Sequence, residues 1–230
     1  MTIAVIQARM TSTRLPGKVL LPLPFPDGEP LLEAICQKLR KSTYITKIVV
    51  AIPEASNQSL LRTFLLKKTI DFIEGSETDV LSRFVKAVEQ YKPDNLVRIT
   101  ADNPFLDLGM LEHCVKTHRQ SGVDYTLSSG LPYGMNMEII KADSLFQLHT
   151  SREINDEDRE HVTLGFSKLG HMKSQVLKLS NEDLGHIRVT VDTPEDYMRA
   201  ALLYGLQQSS KHEGDLEFIK MAYSKYPYLF

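Results

Sequence analysis

The chain has 230 residues, with 27 basic against 29 acidic side chains and 42% hydrophobic content, enough to bury a substantial core in one large domain. Near-balanced charge excludes a protein that holds nucleic acid or a membrane surface by bulk basicity, so a basic cluster here is a local device. The apolar run Ile3 to Ile6 is too short for a signal sequence, and no stretch approaches the ~20 apolar residues that span a bilayer. A cytoplasmic protein is expected, with Cys36 and Cys114 as buried, reduced thiols.

Short β-rich runs alternate with amphipathic helices, the pattern of a mostly parallel sheet covered by helices. A first strand, Thr2 to Ile6, feeds the loop Gln7 to Lys18, which carries Arg9, Arg14 and Lys18, interspersed hydroxyls and a Pro16-Gly17 bend. The Pro-rich passage Leu21 to Gly28 suits neither a helix nor a central strand. Leu31, Leu32, Ile35 and Leu39 give a helical face, Lys47 to Ile52 a buried strand, and Leu60, Leu61, Phe64 and Leu65 the next helix. A weaker strand, Asp71 to Ile73, precedes a helical stripe of Val80, Leu81, Phe84, Val85 and Val88 that stops near Pro93. The strand Asn95 to Thr100 runs into Ala101-Asp102-Asn103-Pro104, and a helix surrounds Leu111, Cys114 and Val115.

The second half is less periodic. Tyr125 to Leu127 and Met137 to Ile140 read as strands on either side of a Gly130 to Gly134 turn, and the charged run Arg152 to Glu160 as a solvated helix face. Ser174 to Lys178 and Arg188 to Asp192 read as further strands. Thr193-Pro194-Glu195-Asp196 is a helix start, with a hydroxyl cap, proline in the first turn and acids against the dipole; this helix runs to about Gln208, and a last one covers Leu216 to Tyr226.

Converging cations and loop amides at Arg9, Arg14 and Lys18 suit a phosphate clamp, against the plainer alternative of a solvated basic loop. This is not a Walker loop, because Ser12 and Val19 stand where glycine and a hydroxyl are needed, and no Gly-x-Gly-x-x-Gly occurs. Asp102 and Asp192 each end a strand, where open α/β sheets bind ligands, although each could equally cap a turn. Together with a triphosphate-sized loop they suggest Mg2+, held by carboxylates and substrate phosphates. The histidines lack zinc-site spacing.

Ile6-Gln7-Ala8-Arg9-Met10-x-Ser12-x-Arg14-Leu15-Pro16-Gly17-Lys18-Val19-Leu20 resembles the opening of the cytidylyltransferases that activate acidic sugars, the acylneuraminate and KDO superfamily, in its spore-coat polysaccharide (SpsF-like) branch. The resemblance continues through Gly75-Ser76-Glu77-x-Asp79-Val80-Leu81-x-Arg83-Phe84, Ile99 to Asp107, Arg159-Glu160-His161-Val162-Thr163 and Val189 to Tyr197.

It implies a single α/β domain over 1–230 of the three-layer, Rossmann-like nucleotide-diphospho-sugar transferase type, with a dimerising, sugar-side excursion within about 125–185 and a homodimer as the assembly. It also implies transfer from CTP to a nonulosonic-type sugar with release of pyrophosphate. By likeness Arg9, Arg14 and Lys18 hold the triphosphate, and Gln7 and Ala8 lie near the base. Gly75, Ser76, Asp79 and Arg83 lie on the nucleoside side, Asp102 and Asp192 carry Mg2+, and Asn136, Glu138 and His161 meet the acceptor. Two departures stand out: Ala101 and Asn103 replace Gly and Cys of the usual Thr-Gly-Asp-Cys-Pro, and Asn136 stands where an acid is common. They leave open a sugar-1-phosphate nucleotidyltransferase using GTP, and a non-catalytic nucleotide-binding subunit.

Overall fold

The computed structural model describes residues 1–210 and 214–230. In chain order it contains β1 (Thr2–Gln7), β2 (Pro22–Leu23), β3 (Glu29–Pro30), α1 (Leu31–Leu39), β4 (Lys47–Pro53), α2 (Ser59–Lys67), β5 (Asp71–Gly75), α3 (Val80–Tyr91), β6 (Asn95–Thr100) and α4 (Leu108–Ser121). The second half adds β7 (Tyr125–Ser129), β8 (Glu138–Lys141), α5 (Ala142–Thr150), α6 (Asp156–His161), β9 (Ser174–Lys178), α7 (Pro194–Gln208) and α8 (Asp215–Lys225).

β2 and β3 form a small ribbon of their own, while the main sheet is seven-stranded in the order β5-β4-β1-β6-β8-β7-β9. Within it only β8 runs against its neighbours. The α/β, mostly parallel reading of the sequence therefore holds. Alternate residues of one strand serve opposite faces. Ala4 and Ile6 pack with Leu32, Ile35, Leu111 and Phe218 on one side. Ile3 and Val5 pack with Leu81, Phe84, Leu145 and Phe166 on the other. Burial on both faces is why the central strands read as unbroken apolar runs.

The second half departs from its sequence reading in two places. The segment Arg188 to Asp192 is extended but joins no ladder; it makes one bridge, Tyr133 to Arg188. Its amides are taken by loop carbonyls instead: Val189 donates to Tyr133 (2.9 Å) and Val191 to Asp102 (2.8 Å). It crosses the carboxyl end of the sheet rather than extending it. Helix α5 is the other departure, carried by Ala142, Leu145 and Leu148, which are buried at a spacing of one helical turn. The Gly130 to Gly134 turn lies so close to this crossing segment that a Cβ on Gly134, whose φ is +103°, would meet Thr190 N at 2.7 Å.

Candidate active site

In the sheet order, β1 has β4 on one side and β6 on the other, so the chain reverses its direction of travel between β1 and β6. Such a reversal leaves a crevice at the carboxyl ends of the strands, the standing ligand position of open α/β sheets. The basic loop leaves β1 there and Asp102 follows β6. The loop is anchored at several points: Ala8 donates to the Ala51 carbonyl (3.1 Å), Gly17 to Met10 (2.9 Å), and Met10 to the Oε1 of Gln58 (2.9 Å), itself fully buried. Gly17 takes a left-handed φ of +73°, which turns the chain so that Lys18 points inward.

Lys18 is the centre of the site. Its Nζ donates to Asp102 Oδ2 (2.9 Å), Asp192 Oδ1 (3.0 Å) and the Val191 carbonyl (2.7 Å), which uses all three protons of an ammonium. Arg14 reaches Asp192 Oδ1 at 3.1 Å, and Arg188 donates to Asp192 Oδ2 at 2.6 Å. Burial works against ionising Asp192, but the hydrogen bond and charge of Lys18, with Arg188 and Arg14, outweigh it and hold the carboxyl below its ordinary value. Arg188 also stacks on Tyr133, 4.9 Å from the ring centre.

Two clefts meet at this pair of carboxylates. The first, of about 260 Å³, is lined by Gln7, Ala8, Arg9, Arg14, Lys18, Arg83, Asp102, His161 and Asp192, with Ser12, Thr13 and Glu160 beside them. Arg83 is 3% exposed and donates to the Ala51 carbonyl (3.2 Å), while its Nε has no partner. Burial, and then the like charge of Arg9, lower its pKa to about 10. Two arginines that repel one another across an open cleft form a site for a polyanion.

The second cleft, of about 350 Å³, is lined by Arg14, Arg98, Asn103, Tyr133, Asn136, Glu138, Thr190, Asp102 and Asp192. Glu138 is paired with Arg98 and accepts from the Tyr125 hydroxyl (3.0 Å), so both its oxygens are held inside the protein.

The structure thus brings Gln7, Ala8, Arg9, Arg14, Lys18, Arg83, Asp102, His161 and Asp192 around the first cleft, and Asn136 and Glu138 around the second. It keeps Gly75, Ser76 and Asp79 out of the lining of either. A Cβ on Gly75 would lie 2.9 Å from Arg83 Cγ. Ser76 Oγ accepts from Asp79 N at 3.0 Å, and Asp79 caps α3 and pairs with Arg159. His161 faces the first cleft at the end of α6. There a γ-turn at Val162, with φ +65° and a 2.7 Å bond from Thr163 N to the His161 carbonyl, ends the helix.

Sequence reasoning missed Arg98 and Tyr133 among the lining residues, and Arg188 behind Asp192. The signal for Arg188 is its position four residues before Asp192, on the same side of an extended segment.

Parallel strands with a polyanion cleft and paired carboxylates at their carboxyl ends define a nucleotide-handling α/β enzyme. The cytidylyltransferase family matches residues 3–223, and this chain belongs to it; it is a nucleotidyltransferase. It is 35% identical over 206 residues to the spore coat polysaccharide biosynthesis protein SpsF of Bacillus subtilis (strain 168), covering 87% of this chain and 85% of that one. It is 26% identical over 124 residues to 3-deoxy-manno-octulosonate cytidylyltransferase 2 of Hydrogenovibrio crunogenus, covering 54% and 49% of the two chains. A cytidylyltransferase structure from Leptospira borgpetersenii superposes with a TM-score of 0.86 at 26% identity, over 99% of this chain and 95% of that chain.

Proposed function

We propose that the enzyme transfers the cytidylyl group of CTP to an acidic, nonulosonic-type sugar, with Mg2+ as cofactor, in surface-polysaccharide assembly. The observation that carries this reading is the wall common to both clefts: Arg14, Thr100, Asp102 and Asp192 line each of them. A nucleotide in one and an acceptor in the other would meet at those carboxylates. The names of the Bacillus and Hydrogenovibrio relatives support the polysaccharide context and the acidic acceptor. The Tyr133 hydroxyl and the Asn136 amide in the second cleft supply hydrogen-bond donors for the oxygens of a sugar.

In the step itself, a sugar hydroxyl oxygen attacks the α-phosphorus of CTP in line. The bond from that phosphorus to the bridging oxygen breaks, and pyrophosphate leaves with the electron pair. Arg9, Arg14 and Arg83 bind the triphosphate, which relieves the repulsion between Arg9 and Arg83. Gln7 Oε1, buried without a partner, is available to a base amino group. The hydroxyl proton leaves the attacking oxygen as the new bond forms and passes to solvent.

Asp102 and Asp192 would hold the divalent ion, and the donor set fits one. The ligands are hard carboxylate oxygens, and Asp102 Oδ1 accepts no hydrogen bond among the described residues. No cluster of three or more His, Cys, Asp or Glu stands ready among those residues, as suits an ion completed by water and phosphate oxygens. When bound, the ion supplies charge neutralisation to the phosphate oxygens. The homodimer through 125–185 belongs to this reading, and sedimentation would measure it.

Pyrophosphate release with CTP, Mg2+ and a panel of nonulosonic acids and sugar 1-phosphates tests the reading. Turnover is expected with CTP and an acidic sugar, and CTP should raise the melting temperature more than GTP, UTP or ATP does. A folded protein that turns over no nucleotide, or that prefers GTP with a sugar 1-phosphate, overturns it.

A further inference from the structure

We infer that Lys18 is a built-in stand-in for the divalent cation: its ammonium fills the gap between Asp102 and Asp192 until a nucleoside triphosphate draws it away, so metal binds with the nucleotide and not before it. This rests on the reading above that the two aspartates hold the metal.

The argument starts from saturation. The Lys18 side chain is 7% exposed, and its three donors are committed to Asp102, Asp192 and the Val191 carbonyl at 2.7 to 3.0 Å. A dication placed on the same two carboxylates would sit beside that ammonium with no water between them to screen the repulsion. Asp192 is further occupied, with Arg14 on Oδ1 and Arg188 on Oδ2. Counted as charges, Asp102 and Asp192 face Lys18, Arg14 and part of Arg188, so the nucleotide-free site has no unmet negative charge to offer an ion.

A triphosphate changes that balance. It brings several negative charges into the cleft that Arg9, Arg14, Lys18 and Arg83 already line. Lysine suits such a move, because it is a compact charge on a flexible four-carbon stem that can exchange one set of acceptors for another. Arg188 lines neither cleft and stays behind Asp192, stacked on Tyr133. Once Lys18 and Arg14 turn to phosphate, Asp102 Oδ2 and Asp192 Oδ1 become free for the ion. Linkage then requires that each ligand tighten the other by the same factor.

The test uses Mn2+ as probe, followed by water proton relaxation, which separates protein-bound ion from the small Mn–CTP complex. Without nucleotide, Lys18→Met should bind Mn2+ about tenfold or more tightly than the unaltered protein, within the usual range of coupling between sites. The double variant Lys18→Met/Asp102→Asn should lose that gain, which assigns it to the carboxylate pair. Far-UV circular dichroism shows whether Lys18→Met is folded. If it is not, the unaltered protein decides alone, since its protein-bound Mn2+ signal should emerge only on adding CTP. Equal Mn2+ affinity in the unaltered protein with and without CTP, or in a folded Lys18→Met and the unaltered protein, overturns the inference and leaves the metal assignment standing. If no form binds Mn2+ even with CTP, the metal assignment falls and the inference falls with it.

Discussion

The two clefts share a wall and little else. The first is built mostly by the regular half of the chain, with Glu160, His161 and Asp192 added from the second: a loop leaving β1, the first turns of α3 and the end of β6 are fixed to parallel strands by backbone bonds such as Ala8 to Ala51 (3.1 Å) and Ala101 to Gln7 (3.0 Å). The second takes its outer wall from segments with no ladder of their own, the Tyr133 to Asn136 turn and the Arg188 to Asp192 crossing, which are tied to each other. A cleft mounted on a sheet holds one geometry through many changes of sequence. A cleft walled by two mutually supporting loops can be reshaped by altering either loop. The nucleotide is the constant of the proposed reaction and the acceptor its variable, and the architecture divides along the same line.

That contrast can be broken in four places. The largest effect is expected at the shared wall: Asp102→Asn should lower kcat by about 10²–10³-fold, the scale of removing one electrostatic contributor from a preorganised site, whichever acceptor is supplied. Steady-state kinetics with each substrate varied in turn would check it, and a loss confined to one substrate's KM would separate the clefts.

A second effect belongs to neither cleft. His118 is 2% exposed on α4, and its Nδ1 lies 2.7 Å from Thr126 Oγ1 on β7. Burial, opposed in part by Asp124, lowers its pKa from 6.5 to about 4. The unfolded chain therefore binds a proton that the folded one refuses between those values, and stability present above pH 6.5 is lost as pH falls toward 4. At 1.36 kcal/mol for each pKa unit the loss amounts to about 3 kcal/mol. His118→Gln should flatten that part of the stability–pH curve in denaturant titrations while leaving nucleotide affinity unchanged.

The third and fourth probe one cleft each. Arg9→Ala, on an exposed side chain of the first cleft, should raise the KM for CTP about 10–100-fold, the worth of a charged hydrogen bond, with the acceptor KM unmoved. Tyr133→Ala removes the ring under Arg188 in the second cleft and should raise the acceptor KM by about 2–5-fold, the scale of an exposed cation–π contact. A matching rise in the KM for CTP would show that the clefts are coupled beyond their common wall.

The same division governs what could be read from the sequence. Strands β1, β4 and β6 are buried on both faces and announce themselves as apolar runs. The capping box at α7 was legible because Thr193 and Asp196 satisfy each other's amides within four residues (3.1 and 3.2 Å). The clustering of Arg9, Arg14 and Lys18 on one loop was legible, and all three line the first cleft. That Lys18 rests on Asp102 and Asp192 was not, because those contacts span 84 and 174 residues, and no local pattern encodes such a separation. The run Arg188 to Asp192 misled for a related reason: Val189, Thr190 and Val191 are all buried, and a pattern of residue types reports neither that enclosure nor the hydrogen-bond partners. Gly75, Ser76 and Asp79 belong to an extended motif; that Gly75 leaves room for the Arg83 side chain, and that Ser76 and Asp79 bond at the start of α3, are contacts that spacing alone does not announce.

Val162 carries a consequence in mechanical terms. A β-branched residue at φ +65° is an unfavourable conformer, worth about 1–3 kcal/mol of local strain, and it persists only if both sides of the joint are clamped. They are: on one side Asn155 and Asp158 cap α6 and Lys168 holds Asp158 (2.7 Å), and on the other Phe166 is buried against the sheet. A joint loaded in this way behaves as a bracket and not as a hinge. Glu160 and His161 are thereby held at a fixed angle along the first cleft, a set fitting in its wall rather than a moving flap.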